Sequence, residues 1–460
     1  MDTPSVPMPE EPREQDVLLR LSTIRDQLLL LKQDRTKYIR SQDVIRLYDQ
    51  TVEQVGALNE VRKGHAHSEN RVDKVLESCF QLLSLFFMTI GRNNEAPAAY
   101  ALTSTIKRLL DHLCEADLYS AKDLDSMTKT LERLEGIVHK SSTRHSPYLT
   151  ELLANRVDLC KSRIVQLRHK LDRLDESLQV VHEKLISIIR SLSLANTKSK
   201  FSASEVEKLR AQVREIDEKR VDGKFLTPDG NEAAGSDEVS ETLRRCLVWS
   251  DIVLERKGEI PEAFRPKYEV LIGIRNELDK LSITPAWSLR ETDLYDFQRQ
   301  LDRIDESRVD GNWLDDDGKP AELYVQRTLL YLIRRSYGYI YHLMLASEPV
   351  SEALLPIYNQ LQTLKRCLLE VKSQGGVSEV RDLYPYSMKL TSLDNMRVDG
   401  KFMVGNDIPE GQGSVTELLA ECFELNYELR IAAEEQGDRS ETSTPITTPT
   451  LAPTSGPVDA

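Results

Sequence analysis

Three stretches decide the fold: Ile216-Asp217-Glu218-Lys219-Arg220-Val221-Asp222-Gly223-Lys224-Phe225-Leu226, Ile304-Asp305-Glu306-Ser307-Arg308-Val309-Asp310-Gly311-Asn312-Trp313-Leu314 and Leu393-Asp394-Asn395-Met396-Arg397-Val398-Asp399-Gly400-Lys401-Phe402-Met403. Their aspartates Asp222, Asp310 and Asp399 stand 88 and 89 residues apart. Three copies of one pattern at a nearly constant period are an internal repeat, not a coincidence.

The flanks repeat as well. Before two copies stands a helix start with capping-box spacing, Ser202-Ala203-Ser204-Glu205 and Ser288-Leu289-Arg290-Glu291. We call this helix A. After each copy comes a polar turn (Thr227 to Asn231, Asp315 to Lys319, Gly405 to Gly413) and then an amphipathic helix B, opened in the last copy by Ser414-Val415-Thr416-Glu417. Helix C closes the unit at Pro261 to Leu281 and Ser351 to Val371.

The same order runs backward without the loop. Ser120 to Leu134, Leu149 to Leu167 and Leu174 to Leu192 fit helices A, B and C; so do Ser41 to Leu58, Val72 to Phe87 and Pro97 to Leu113. Leu18 to Leu31 supplies a helix C ahead of them. The helix B cysteines keep the register, since Cys79, Cys160, Cys246 and Cys422 are separated by 81, 86 and 176 residues. Arg-Val-Asp also occurs at Arg71 to Asp73 and Arg156 to Asp158, but inside helix B patterns and without the glycine.

The expected fold class is therefore all-α: tandem three-helix repeats forming an elongated helical bundle or solenoid. No stretch of the body reads as a strand. The expected organisation is a disordered tail over 1–16, repeats without the loop over 17–200, repeats with it over 201–434, and a disordered Ser/Thr/Pro-rich tail over 435–460. Whether the units stack as a superhelix or fold back on themselves stays open.

Composition narrows the function. The 460 residues carry 61 Lys plus Arg against 75 Asp plus Glu, a formal charge of −14, which argues against nucleic acid as a partner. The apolar run from Cys79 to Ile90 is too short for the roughly 20 residues that span a bilayer, and Met1 to Gln15 has no signal-peptide core. Six scattered cysteines without a Cys-x-x-Cys pair point to a reducing compartment and to no zinc module. Gly64-His65-Ala66-His67 lacks a third metal ligand, and Asp315-Asp316-Asp317-Gly318 lacks the spacing of a calcium loop. No nucleophile elbow, phosphate loop or dinucleotide fingerprint is present, so no catalytic, cofactor or metal residue is assigned.

The repeated loop has two readings. As a corner, Gly223, Gly311 and Gly400 take the left-handed conformation that ends or redirects helix A, and Asp222, Asp310 and Asp399 accept turn amides. Arg220, Arg308 and Arg397 pair locally, while Phe225, Trp313 and Phe402 plug the gap between helices. As a binding device, the same arginines and aspartates form charged sockets for an extended partner. In the tail, Thr444-Pro445 and Thr448-Pro449 suit proline-directed phosphorylation at Thr444 and Thr448.

With the three loops and the helices after them in view, the chain resembles the fungal uncharacterised-protein family built from tandem helical repeats of a domain of unknown function. That resemblance implies a fungal source and a cytoplasmic and nuclear location. It assigns no catalytic residue. The leading expectation is a non-enzymatic scaffold that binds other proteins. The alternatives are an enzyme of unrecognised type with a pocket between repeats, and a membrane-peripheral tether, which the net acidity opposes.

Overall fold

In the computed structural model, residues 7–63, 70–283 and 290–441 are described, the side chains as far as 435. Fifteen helices follow one another among the described residues. They are α1 (Pro12–Gln33), α2 (Ser41–Arg62), α3 (Arg71–Thr89), α4 (Ala96–Ala116), α5 (Ala121–Ser141), α6 (Pro147–Asp172), α7 (Glu176–Asn196) and α8 (Ala203–Asp217). Then come α9 (Ser236–Arg256), α10 (Arg265–Ile283), α11 (Leu294–Glu306), α12 (Leu323–Leu345), α13 (Leu355–Ser373), α14 (Tyr384–Asp394) and α15 (Gln412–Glu441). Helix starts follow local chemistry. Asn70 and Ser120 close capping boxes with Asp73 and Asp123, and prolines sit in the first turns of α1, α4, α6, α13 and α14.

The expected helices are all present, but the unit that packs together has a different phase. Each helix C packs with the A and B helices that follow it, so the triplets are α1–α3, α4–α6, α7–α9, α10–α12 and α13–α15. Within every triplet all three helix pairs touch. The helix B cysteine sits in the C–B seam: Cys79, Cys246 and Cys422 lie against the carbonyls of Leu21, Leu185 and Leu361 at 3.6, 3.6 and 3.4 Å. Cys160 is buried at the equivalent place. The chain divides into two compact units, Met1–Glu352 and Ala353–Ala460, and this break falls between the fourth and fifth triplets.

Three expectations need correction. The segment assigned to an N-terminal tail already contains the start of α1, whose Glu14 is buried against Arg62 at 2.8 Å; residues 1–6 lie outside the described residues. At the other end α15 runs to Glu441, past the expected start of the tail, because its helical register simply continues. Ser414 is an interior residue of α15, which begins at Gln412. Ser202 does cap α8, whereas Ser288 lies outside the described residues, as do Gly64 to His67 and both Thr444 and Thr448.

The first unit folds back on itself. Its fourth triplet packs on the second through α12 and α4, and reaches the first through α11 and the turn Glu291–Asp293 against α3. A buried hydrogen bond, Ser78 to Tyr295 at 2.6 Å, and a half-buried one, Gln81 to Gln298 at 2.6 Å, fasten this seam. Arg290 donates to Glu352 at 2.7 Å and to the carbonyls of Asp34 and Lys37 at 3.0 and 2.9 Å, while Glu352 accepts the Ile39 amide at 2.8 Å. Both charged side chains are only 6% exposed, so each is the other's compensation for lost water. Gly91 makes the closure possible. It holds φ at +83°, and a Cβ there would stand 2.6 Å from the backbone nitrogen of Ser351. Gly91→Ala should therefore lower stability by about 2 kcal/mol or more, measured by denaturant unfolding, because both the backbone angle and the backbone contact must yield.

Candidate functional site

The repeated loop is a β-hairpin, not a helix terminus. Helices α8, α11 and α14 end at Asp217, Glu306 and Asp394, several residues before the glycines. Val221 and Lys224 then exchange both backbone hydrogen bonds at 2.9 and 3.0 Å, and Val309 and Asn312 do so at 2.8 and 2.9 Å. In the third copy the pairing extends into a two-stranded ladder, β1 (Arg397–Val398) against β2 (Lys401–Phe402). Both turn residues are left-handed: φ is 51°, 49° and 49° at Asp222, Asp310 and Asp399, and 79°, 79° and 75° at Gly223, Gly311 and Gly400. That is the type I′ turn, for which Asp-Gly is a preferred pair. The aspartates serve through their backbone. Among the described residues their carboxylates accept no turn amide, which corrects the expectation.

The other motif residues turn inward. Phe225, Trp313 and Phe402 are 6, 1 and 1% exposed. Each backbone amide is latched by the next helix or its start: to Ser236 at 3.0 Å, Gln326 at 3.2 Å and Gln412 at 2.9 Å. The arginines pair with the aspartate three residues earlier. Arg220 meets Asp217 at 2.7 Å and the Gly223 carbonyl at 3.1 Å, Arg308 meets Asp305 at 2.7 Å, and Arg397 bonds Asp394. Asp315 accepts the amides of Asp317 and Lys319, so the acidic tetrad is a turn.

At the second hairpin this pairing grows into a network with the second triplet. Arg308 also bonds Glu115, and buried Asp305 accepts from His112 at 3.1 Å and from Arg108 at 3.5 Å. Burial alone would raise the Asp305 pKa. The His112 hydrogen bond and the charges of His112, Arg308 and Arg108 outweigh it and hold the carboxyl below the usual aspartate range.

A cavity lies beside this hairpin, and a second adjoins it. One, about 280 Å³, is bordered by Trp249, Trp313 and four arginines, Arg245, Arg308, Arg327 and Arg334, against a single carboxylate, Glu115. The other, about 610 Å³, shares Tyr331 and Arg334 with it and adds Arg190 and Arg335. Arg190 is engaged by Asp123 at 2.6 Å, and Arg245 donates to the Ala116 carbonyl at 2.6 Å. Arg327 and Arg334 differ. Among the described residues neither has an ion-pair or hydrogen-bond partner, and the Nη1 of each is shielded from solvent. Burial, with Arg190 nearby, pulls Arg334 down to about 10; burial with Arg245 and Arg244 nearby lowers Arg327. Sequence reasoning passed over both. The available signal was a run of arginines inside the otherwise apolar and aromatic helix Leu323–Leu345.

Fold and corners together define a class: an all-α protein of tandem three-helix units whose later copies turn on Asp-Gly hairpins. The family described as a protein of unknown function, DUF2408, matches residues 171–291 and 347–448. A CUB1 family protein of Schizosaccharomyces pombe is 38% identical over 437 residues, which cover 93% of this chain and 94% of that protein. The Cu(2+) suppressing and bleomycin sensitive protein 1 of Saccharomyces cerevisiae is 37% identical over 515 residues, covering 94% of this chain and 92% of its own length. The chain belongs to this fungal CUB1 family. No solved structure matches it.

Trp313→Ala should cost about 3–5 kcal/mol in denaturant unfolding, whereas Val309→Ala, at a position 53% exposed, should change stability by no more than about 0.5 kcal/mol. Asp305→Asn should cost about 3 kcal/mol at neutral pH, because Arg308, Arg108 and His112 lose the carboxylate they share. A carboxyl whose pKa is lowered by folding stabilises above its unfolded value and ceases to do so as pH falls through the folded one. The gap between wild type and Asp305→Asn should therefore close below about pH 3.8, read as converging melting temperatures.

Proposed function

We propose that the protein is a non-catalytic scaffold that holds partner proteins at the exposed tips of its hairpins, and that it works in the cytoplasm and nucleus. One observation carries the reading. Each copy divides its residues between two tasks, with Arg and the aromatic turned into the protein and a Val-Asp-Gly tip left outside. Val221, Val309 and Val398 are 55, 53 and 59% exposed. An isolated exposed valine means little, but the same apolar residue presented beside the same carboxylate on three rigid turns makes a repeated contact element. A rigid tip also loses little entropy on binding.

The printed name of the Saccharomyces relative ties that protein to Cu2+ and to bleomycin. For this chain the reading favours an indirect link through partners. Burial pushes the thiols of Cys79 and Cys246 up to about 12 and those of Cys160 and Cys422 up to about 11, which keeps them protonated rather than available as metal ligands. Among the described residues no three His, Cys, Asp or Glu side chains gather as a metal site, and no helix is long and apolar enough to cross a membrane.

The test replaces all three tips, Val221→Thr, Val309→Thr and Val398→Thr, which keeps the β-branched shape that the hairpin favours. Affinity purification from cells should recover stoichiometric partners with the wild type and lose them with the triple variant, while its thermal unfolding stays unchanged. Undiminished recovery of every partner would sink the hairpin-tip scaffold.

A further inference from the structure

Two arginines of α12 lack a counter-charge: Arg334 has no ion-pair or hydrogen-bond partner among the described residues, and Arg327 meets only the face of the Trp249 ring, 5.7 Å from its centroid. Desolvating a guanidinium without a counter-charge costs several kcal/mol, and cores of this kind are ordinarily more stable with a hydrophobic side chain of similar volume. Yet Arg327 and Arg334 sit seven residues apart on one helix, each with a shielded Nη1 that no described group accepts. Seven residues are about two helical turns, so the two attachment points lie roughly 10 Å apart along α12. Both side chains border the 280 Å³ cavity, and Arg334 also borders its larger neighbour. Elsewhere in the lining cations outnumber carboxylates, with Glu115 in the smaller cavity and Asp123 and Glu183 in the larger. Arg245 and Arg308 add charge to the smaller cavity, and Arg190 and Arg335 to the larger.

We propose that these adjoining cavities bind a small molecule carrying two or more phosphate groups, one taken by Arg327 and another by Arg334. Two separated cations without counter-charges call for two separated anionic groups, and a planar guanidinium presents parallel N–H donors that match phosphate oxygens. An uncharged apolar ligand would leave both guanidinium groups uncompensated. A macromolecular polyanion is disfavoured by the net charge of −14. The site lies under the second hairpin, whose Arg308, Gly311, Asn312 and Trp313 form part of its wall. It is independent of the scaffold reading, which concerns the outer tips.

The experiment titrates the full-length chain, by calorimetry at fixed ionic strength, with sodium tripolyphosphate and separately with inositol hexakisphosphate. The wild type should bind at least one of them with an affinity that falls as salt rises. Removing each guanidinium should weaken binding about tenfold, so the double variant Arg327→Met and Arg334→Met should lose about a hundredfold. Arg244→Gln, an exposed arginine paired with Glu241, should bind as the wild type does. Tripolyphosphate binding as tightly as the ring-borne phosphates assigns a free polyphosphate, and preference for inositol hexakisphosphate assigns phosphates carried on an organic ring; either supports the site. The double variant is expected to melt no lower than the wild type without ligand. Should it fail to fold, a second measurement decides: bound polyphosphate must protect Arg327 and Arg334 of the wild-type chain from phenylglyoxal modification. No binding of either compound, undiminished binding in a folded double variant, or absence of protection would each overturn the proposal.

Discussion

Each helix B must lie on the helix C that stands two places before it. This constraint organises the chain. Helix A and the connection after it form a bridge that has to return helix B to the same height along helix C in every triplet, and the B-helix cysteines mark that height. A cysteine is small enough to let the two backbones approach, and its thiol lies against a carbonyl of the facing helix in three of the five triplets. The Asp-Gly hairpin is the later copies' solution to the bridge. It reverses the chain in two residues, and the aromatic side chain just after it anchors the return.

Much of this architecture was legible in the sequence because it rests on local rules. Helix periodicity, capping residues and the repeat itself locate the helices within a few residues. The phase of the triplets was not legible, since an A-B-C-A-B-C string reads equally well from any starting letter. Only the seam between Cys79 and Leu21, and its counterparts, decides it. The hairpin was missed for a specific reason. Two- and four-residue ladders are too short to show alternation, and Asp-Gly was read as helix punctuation although it is equally a type I′ signature. The fold-back of the fourth triplet onto the first rests on contacts such as Ser78 with Tyr295, for which no local pattern exists.

Electrostatics shows the same division between what is local and what is not. The surface is acidic overall, and pairs such as Arg220 with Asp217 follow from spacing along the chain. The buried charges do not. Asp305 collects His112, Arg108 and Arg308 from two triplets, and Arg290 finds Glu352 only because the unit closes. Against these paired groups, Arg327 and Arg334 stand in one place without a counter-charge, Arg327 over the Trp249 ring and Arg334 with no ion-pair or hydrogen-bond partner among the described residues. That contrast within a single unit is what distinguishes them from ordinary surface cations.

The closure of the first unit also bears on how the chain is made. Tyr295 meets Ser78 across 217 residues of sequence, and Glu352 meets Ile39 across 313. A ribosome adding roughly 5–20 residues per second leaves the first triplet waiting on the order of 15–60 s for its partner. Local helix pairs form in microseconds to milliseconds, so the first triplets have to persist on their own with an apolar flank uncovered until the fourth arrives. Closure of this unit is thus paced by synthesis itself, and a nascent chain halted before residue 290 leaves the α3 flank without the helix that covers it.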